Sequence, residues 1–177
     1  MMEKQNFLIV VDMQNDFIDG SLGTKEAQAI VPAVAARIRE CKEAGFAVIA
    51  TLDTHEENYM ETQEGKFLPV LHCIKGTEGH AVIPELREFL PESKVFLKGT
   101  FGSVDLGAYL KKREEEIESI ELIGLCTDIC VVSNALLLKA AMPEVPIFVD
   151  SKCCAGVTPE KHEAALETMR SCQITVS

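Results

Sequence analysis

The sequence has no surplus of basic residues, no long apolar run and no Cys-x-x-Cys pair, and each absence narrows what the chain can do. Lys and Arg number 17 against 28 Asp and Glu, a formal net charge of −11. Such a chain repels phosphate backbones, which argues against a nucleic-acid partner. Its densest basic stretch, Lys111-Lys112-Arg113, runs straight into Glu114-Glu115-Glu116 and reads as a solvated helix end. The apolar run Phe7 to Val11 stops at Asp12, short of the ~7–15 residues of a secretory core. No stretch approaches the ~20 apolar residues of a bilayer span. The expected location is therefore the cytoplasm, with no membrane partner. The 7 cysteines are odd in number, and their spacing suits neither a disulfide framework nor a zinc knuckle. Most read as small buried hydrophobes. Neither Gly-x-Gly-x-x-Gly nor Gly-Lys-Ser/Thr occurs after the first apolar run, which removes a plain nucleotide-binding fold.

What is present is an ordinary globular balance, 47% apolar and 25% charged over 177 residues, a length that suits one domain spanning 1–177. Asn6 to Val11 reads as a buried strand and Ala27 to Ala44 as a helix stopped by Gly45. Phe46 to Leu52 reads as a second strand. Residues 53–80 are polar and form one long loop. Further elements are a short helix over Pro84 to Leu90, a strand over Lys94 to Leu97, a helix over Val104 to Arg113 and a strand over Ser119 to Ile123. Then come a helix over Cys130 to Ala141, a strand over Pro146 to Val149, a helix opening at Thr158-Pro159 and a last strand over Gln173 to Val176. Alternation of this kind predicts an α/β fold: a three-layer, doubly wound, mostly parallel six-stranded sheet. Ligands in such folds bind beyond the carboxyl ends of the strands. Asp12, Asp53, Lys98 and Cys130 all stand at or just after strand ends.

Cys130 opens a helix, where the dipole and free N–H groups favour a thiolate and can also hold an oxyanion. A cysteine nucleophile needs a base. No histidine other than His55 lies near a strand end, whereas Asp12 ends a buried strand and could serve if desolvated, with Lys98 as its charge partner. The long loop carries Asp53, His55, Glu64 and His72, an oxygen and nitrogen set suited to Zn²⁺, Fe²⁺ or Mn²⁺. Plainer roles fall to other residues. Gln14, Asn15 and Asp16 organise the turn after the first strand, Asp128 caps a helix, and His80 and His162 are surface residues. Cys153-Cys154 has no assigned role.

Three blocks together resemble the isochorismatase-like cysteine hydrolases: Asp12-x-Gln-Asn-Asp-Phe17, Lys98-Gly-Thr-Phe101 and Gly124-x-x-Thr-Asp-x-Cys130-Val131. The resemblance implies Cys130 as nucleophile, Asp12 as proton carrier and Lys98 as their electrostatic partner. It also implies a cis peptide at Leu125–Cys126 and an oxyanion hole formed by the backbone N–H groups of Cys126 and Cys130. Phe17 and Phe101 are the pocket walls. The loop is similar to the metal loop of nicotinamidases, which implies one divalent metal on Asp53, His55, Glu64 and His72, zinc before iron or manganese. Residues 67–72 lack the paired prolines common before that histidine, which leaves Glu57 and Glu61 as alternatives to Glu64. The implied activity is hydrolysis of nicotinamide or a close analogue to nicotinate and ammonia through a thioester, by a homo-oligomer acting on a small-molecule amide. Another small amide or a ureido compound is the alternative substrate. Isochorismate stands further off, since vinyl-ether cleavage needs protonation and no thiol, and a non-catalytic binding domain would be expected to lose Asp12, Lys98 or Cys130.

Overall fold

The fold was obtained as a computed structural model, which describes residues 4–90 and 94–177. A six-stranded sheet runs in the order β3-β2-β1-β4-β5-β6, with every pairing parallel. Its strands are β1 (Gln5–Val11), β2 (Ala47–Asp53), β3 (Lys94–Lys98), β4 (Ile117–Leu125), β5 (Ile147–Ala155) and β6 (Thr175–Val176). The helices are α1 (Asn15–Ile18), α2 (Lys25–Glu43), α3 (Gln63–Phe67), α4 (Pro84–Arg87), α5 (Val104–Lys111), α6 (Val132–Ala141) and α7 (Pro159–Ser171).

The middle strand shows why the sheet is covered on both faces. Successive side chains of a strand point to opposite sides. Phe7, Ile9 and Val11 pack into a core with Leu106 of α5, Leu138 of α6 and Leu166 of α7. Leu8 and Val10 pack into a second core with Ile30, Val34 and Ile38 of α2. All five β1 residues are buried, which is why this segment reads as an unbroken apolar run with no alternation. The helix α2 begins where Thr24 Oγ1 accepts the Ala27 N–H at 3.0 Å. It ends in a Schellman turn: Phe46 N donates to Cys41 O at 2.8 Å and Gly45 N to Lys42 O at 3.1 Å, with Gly45 at φ 81°.

The chain leaves β1 for β2 and β3 on one side and returns to place β4, β5 and β6 on the other. The order reverses between β1 and β4, and the crevice at such a reversal is where doubly wound folds place their ligands. Here Val11 lies beside Gly124 in register. Gly124 has φ 117°, and a Cβ on it would sit 2.2 Å from the Val11 carbonyl oxygen, so no other residue fits.

Several elements differ from the sequence expectation. Residues 53–80 are not one open loop, because Tyr59–Glu61 forms a 3-10 turn and α3 follows, with Thr62 Oγ1 capping it through the Gly65 N–H at 3.0 Å. The strand β5 continues past the polar Asp150-Ser151-Lys152 to Ala155, so Cys153 and Cys154 are buried strand residues. A five-residue π turn, Thr127–Val131, precedes α6. The short helix after Pro84 ends at Arg87.

Replacing Gly124 by Ala is expected to cost about 2–3 kcal/mol and lower the melting temperature by roughly 5–10 °C. Gly45→Ala, with φ 81° and open space around it, should lose about 1 kcal/mol. Thermal unfolding of both variants checks this, and equal losses would refute the close-approach argument.

Candidate active site and metal centre

The strand order places four reactive side chains in a row. Lys98 ends β3, Asp53 ends β2, Asp12 follows β1, and Cys130 lies in the turn after β4. Asp53 and Lys98 are register partners. Asp12 adopts φ 49°, a left-handed conformation that Asp tolerates better than most residues. That kink is held by β2: Asp12 N donates to Thr51 O at 3.1 Å, and Thr51 Oγ1 donates to Asp12 Oδ1 at 2.7 Å.

Lys98 Nζ is the hub. It lies 2.6 Å from Asp12 Oδ2, 3.3 Å from Asp53 Oδ1 and 3.3 Å from Cys130 Sγ, and it donates to Thr100 O at 3.1 Å. Asp12, Asp53, Lys98 and Cys130 are all buried. Burial raises the pKa of Asp12, and Lys98 offsets this only in part. Burial and the Asp12 charge push the Cys130 thiol well above its ordinary range, against the pull of Lys98. Burial disfavours the Lys98 charge, but Asp12, Cys130 and Asp53 outweigh it and keep the ammonium protonated. Asp12 is thus a stronger proton acceptor than an ordinary carboxylate, and it shares the Lys98 ammonium with the Cys130 thiol.

Asp53 turns its other oxygen to a second cluster. Oδ2 lies 2.9 Å from His55 Nε2 and 3.4 Å from His72 Nε2, while Glu64 Oε1 is 3.6 and 3.8 Å from the same two nitrogens. One ligand atom from each of the four residues lies within 4.8 Å of all the others. Ligands about 2.0–2.2 Å from one tetrahedral ion are about 3.3–3.6 Å apart, so the cluster is close to that spacing. His72 Nδ1 donates to Val70 O at 2.8 Å, which orients the ring with Nε2 toward the cluster. Burial opposes ionisation of Asp53, yet hydrogen bonds from His55 and His72 and the Lys98 charge hold its carboxyl well below the usual range. Glu64 projects from α3 into the cluster, whereas Glu57 and Glu61 are exposed, so the loop register favours Glu64. The donor set and its spacing fit a divalent metal.

A cavity of about 270 Å³ opens onto both clusters. Asp53, Glu64 and His72 line it, as do Cys126 and Cys130; Phe17 and Phe101 form walls, as expected. The Leu125–Cys126 peptide is cis, as the resemblance implied.

Other supports were missed or misread in the sequence. Gln14 does more than shape a turn: its amide donates to Asp53 O and accepts from Asp53 N, both at 2.8 Å, fixing that residue between the two clusters. Tyr59 is fully buried against His55 and His72, with ring centroids 4.6 and 5.0 Å away. Asn134 Nδ2 donates to Cys130 O at 2.8 Å, and its Oδ1 accepts from Ser103 N at 2.9 Å. Asp128 caps no helix. It sits inside the π turn, and its Oδ1 accepts the Val157 N–H at 2.9 Å. His80 and His162 are half-buried and not free on the surface: His80 Nε2 meets Thr54 Oγ1 at 2.9 Å, and His162 Nδ1 meets Thr127 Oγ1 at 2.8 Å. Most of these contacts join residues far apart in sequence, which no local pattern reveals; Asn134–Cys130 and Tyr59–His55 are the local exceptions, four positions apart.

Known proteins match this arrangement along nearly the whole chain. The family model of the isochorismatase domain matches residues 6–177. The uncharacterized isochorismatase family protein PncA of Bacillus subtilis is 32% identical over 90% of this chain and 91% of its own length. The nicotinamidase/pyrazinamidase of Mycobacterium tuberculosis is 29% identical, covering 94% of this chain and 95% of its own. Among solved structures, the pyrazinamidase of Pyrococcus horikoshii in complex with zinc superposes with a TM-score of 0.84 at 30% identity, covering 98% of each chain. With its all-parallel sheet, its buried Asp-Lys-Cys cluster and these matches, the chain belongs to the isochorismatase family.

Proposed function

We propose that the protein is a metal-assisted cysteine amidohydrolase that converts nicotinamide, or a close analogue, to nicotinate and ammonia. The observation that carries this reading is Asp53, whose two oxygens face the Lys98–Cys130 pair and the His55–Glu64–His72 cluster. One residue thus joins a nucleophile to a ring-binding centre across a single pocket. Asp53, His55, Glu64 and His72 would hold a divalent ion, zinc before iron or manganese. When bound, it supplies a Lewis acid that a ring nitrogen can coordinate.

Asp12 takes the proton of Cys130, and the sulfur attacks the carboxamide carbon, with Lys98 stabilising the charge that develops. The backbone N–H groups of Cys126 and Cys130 hold the oxyanion. Asp12 returns the proton to the departing ammonia, leaving a thioester on Cys130. Asp12 then accepts a proton from water as the water attacks the thioester; the C–S bond breaks, Asp12 returns the proton to the Cys130 sulfur, and the acid leaves as carboxylate with its proton released to solvent. Phe17 and Phe101 flank the ring. Assembly as a homo-oligomer belongs to the same reading and is supported by exposed Val95 and Leu97 on the edge strand β3, which a second copy would cover. So does a cytoplasmic location; among the described residues no helix is long and apolar enough to cross a membrane. A second substrate class, another small amide or ureido compound with an anionic group, is favoured by Lys161, which lines the same pocket.

Ammonia release from nicotinamide is the direct test. Cys130→Ala should lower it at least about a thousandfold, and chelation should lower it until zinc is restored. A folded, zinc-loaded protein that releases ammonia only from anionic amides would move the assignment to the second class.

The pH profile tests the role of Asp12. Its carboxyl must be ionised to accept the thiol proton, and burial raises its pKa from the ordinary 3.8. The rate should therefore fall as pH drops through a value above the ordinary carboxylate range. Asp12→Asn should abolish turnover. A kcat/KM that stays flat down to the ordinary carboxylate range would refute the role.

A further inference from the structure

The two N–H groups assigned to the oxyanion stand at either end of one short turn. Cys126 precedes the π turn Thr127–Val131, and its carbonyl accepts from both Ile129 N at 3.1 Å and Val131 N at 3.0 Å. A turn held by a shared acceptor has loose pitch unless it is braced from outside. Asn134 braces one end through Cys130 O. The other end is braced by the junction between β5 and α7. Thr127 Oγ1, on a residue with no exposed surface, is joined to His162 Nδ1 at 2.8 Å, and Val157 N donates to the adjacent Asp128 Oδ1 at 2.9 Å.

This junction is stiff. A Cβ on Gly156 would lie 2.8 Å from His162 N and 2.9 Å from Asp128 Oδ1, so the two segments touch with no room for a side chain. His162 sits in the first turns of a 13-residue helix capped by Thr158 and anchored in the core by Leu166 and Met169. Among the described residues neither Thr127 nor His162 lines the pocket. The Thr127–His162 bond therefore stands behind the pocket wall, and the turn that carries Cys126 and Cys130 is the catalytic segment it holds directly.

We propose that His162 is a positioning residue: through its hydrogen bond to Thr127 it fixes the pitch of the Cys126–Cys130 turn and so the aim of the two oxyanion donors. The proposal rests on the hydrolase reading above. Donors aimed at a developing oxyanion stabilise the transition state more than the bound amide, so the loss should appear in kcat and spare KM.

The experiment compares His162→Ala, His162→Gln, Thr127→Val and the double variant His162→Ala/Thr127→Val, in the zinc-loaded protein with nicotinamide as substrate. In His162→Ala, kcat should fall about ten- to a hundredfold, with KM changed less than about twofold. Gln, which can still hydrogen-bond Thr127, should recover most of the loss. The double variant should be no worse than either single one, since both remove one bond. Amide exchange of the segment 126–131, read by mass spectrometry, should quicken in His162→Ala and return with Gln. The proposal is overturned by a kcat within twofold of wild type, by additive losses in the double variant, or by a loss that follows melting temperature and is not rescued by Gln. If the wild type is silent on nicotinamide, the substrate assignment fails alone. The exchange measurement needs no substrate, and unchanged exchange then overturns the brace as well.

Discussion

The Lys98 ammonium lies within 3.3 Å of two carboxylates and a thiol, all of them buried. A buried charge costs several kcal/mol unless it is paired and hydrogen-bonded, and here one cation must serve two anions. The imbalance is resolved unequally. Asp53 has imidazoles on its far side and stays ionised, whereas burial outweighs the Lys98 and Thr51 contacts of Asp12 and pushes it toward its neutral form. Two carboxylates a few ångströms apart thus acquire opposite proton affinities from their surroundings, one fit to hold charge and one fit to carry a proton.

That division follows from the order of strands. Adjacent strands lie about 4.8 Å apart, so the ends of β3, β2, β1 and β4 deliver Lys98, Asp53, Asp12 and the Cys130 turn to neighbouring positions. Each backbone is fixed by its ladder, and small local devices trim the aim: the left-handed Asp12, the close approach at Gly124, the amide of Gln14. The reacting groups consequently stand at or just beyond strand ends that the sheet holds in register.

Much of this was legible in the chain itself. Apolar runs that stop at an Asp or a Lys mark strand ends in a parallel fold and point to Asp12, Asp53 and Lys98; Cys130 stands out as a helix-opening cysteine, and only the three blocks of the resemblance join these residues into one set. The resemblance added Cys126 and the cis peptide, and the metal-loop residues come together as expected. Less legible were the groups that hold these residues in place. Thr51 reaches Asp12 across 39 positions and Thr127 reaches His162 across 35, and neither hydroxyl stands out in its own segment. The end of β5 was hidden because Asp150, Ser151 and Lys152 break the apolar run, while hydrogen bonding to the neighbouring strand carries the backbone onward. Tyr59 looked like any loop residue until folding put its ring against two histidines. Local pattern reveals chemistry placed at strand ends and says little about contacts that only the closed fold creates.

The four candidate metal ligands are divided between two kinds of support. Asp53 belongs to the sheet, but His55, Glu64 and His72 belong to the segment between β2 and β3, which packs over the pocket and is tied by isolated bridges at His55–Ile74 and Gln14–Val82. On the proposed reading, the bond-making apparatus and the means of choosing a ring are therefore carried by separable parts of the chain. A lineage, or a designer, could exchange residues 54–80 for a differently lined segment and redirect the same thiol to amides with no ring nitrogen. Asp53 would remain through such an exchange, because it belongs to β2 and pairs with Lys98 whether or not an ion is bound.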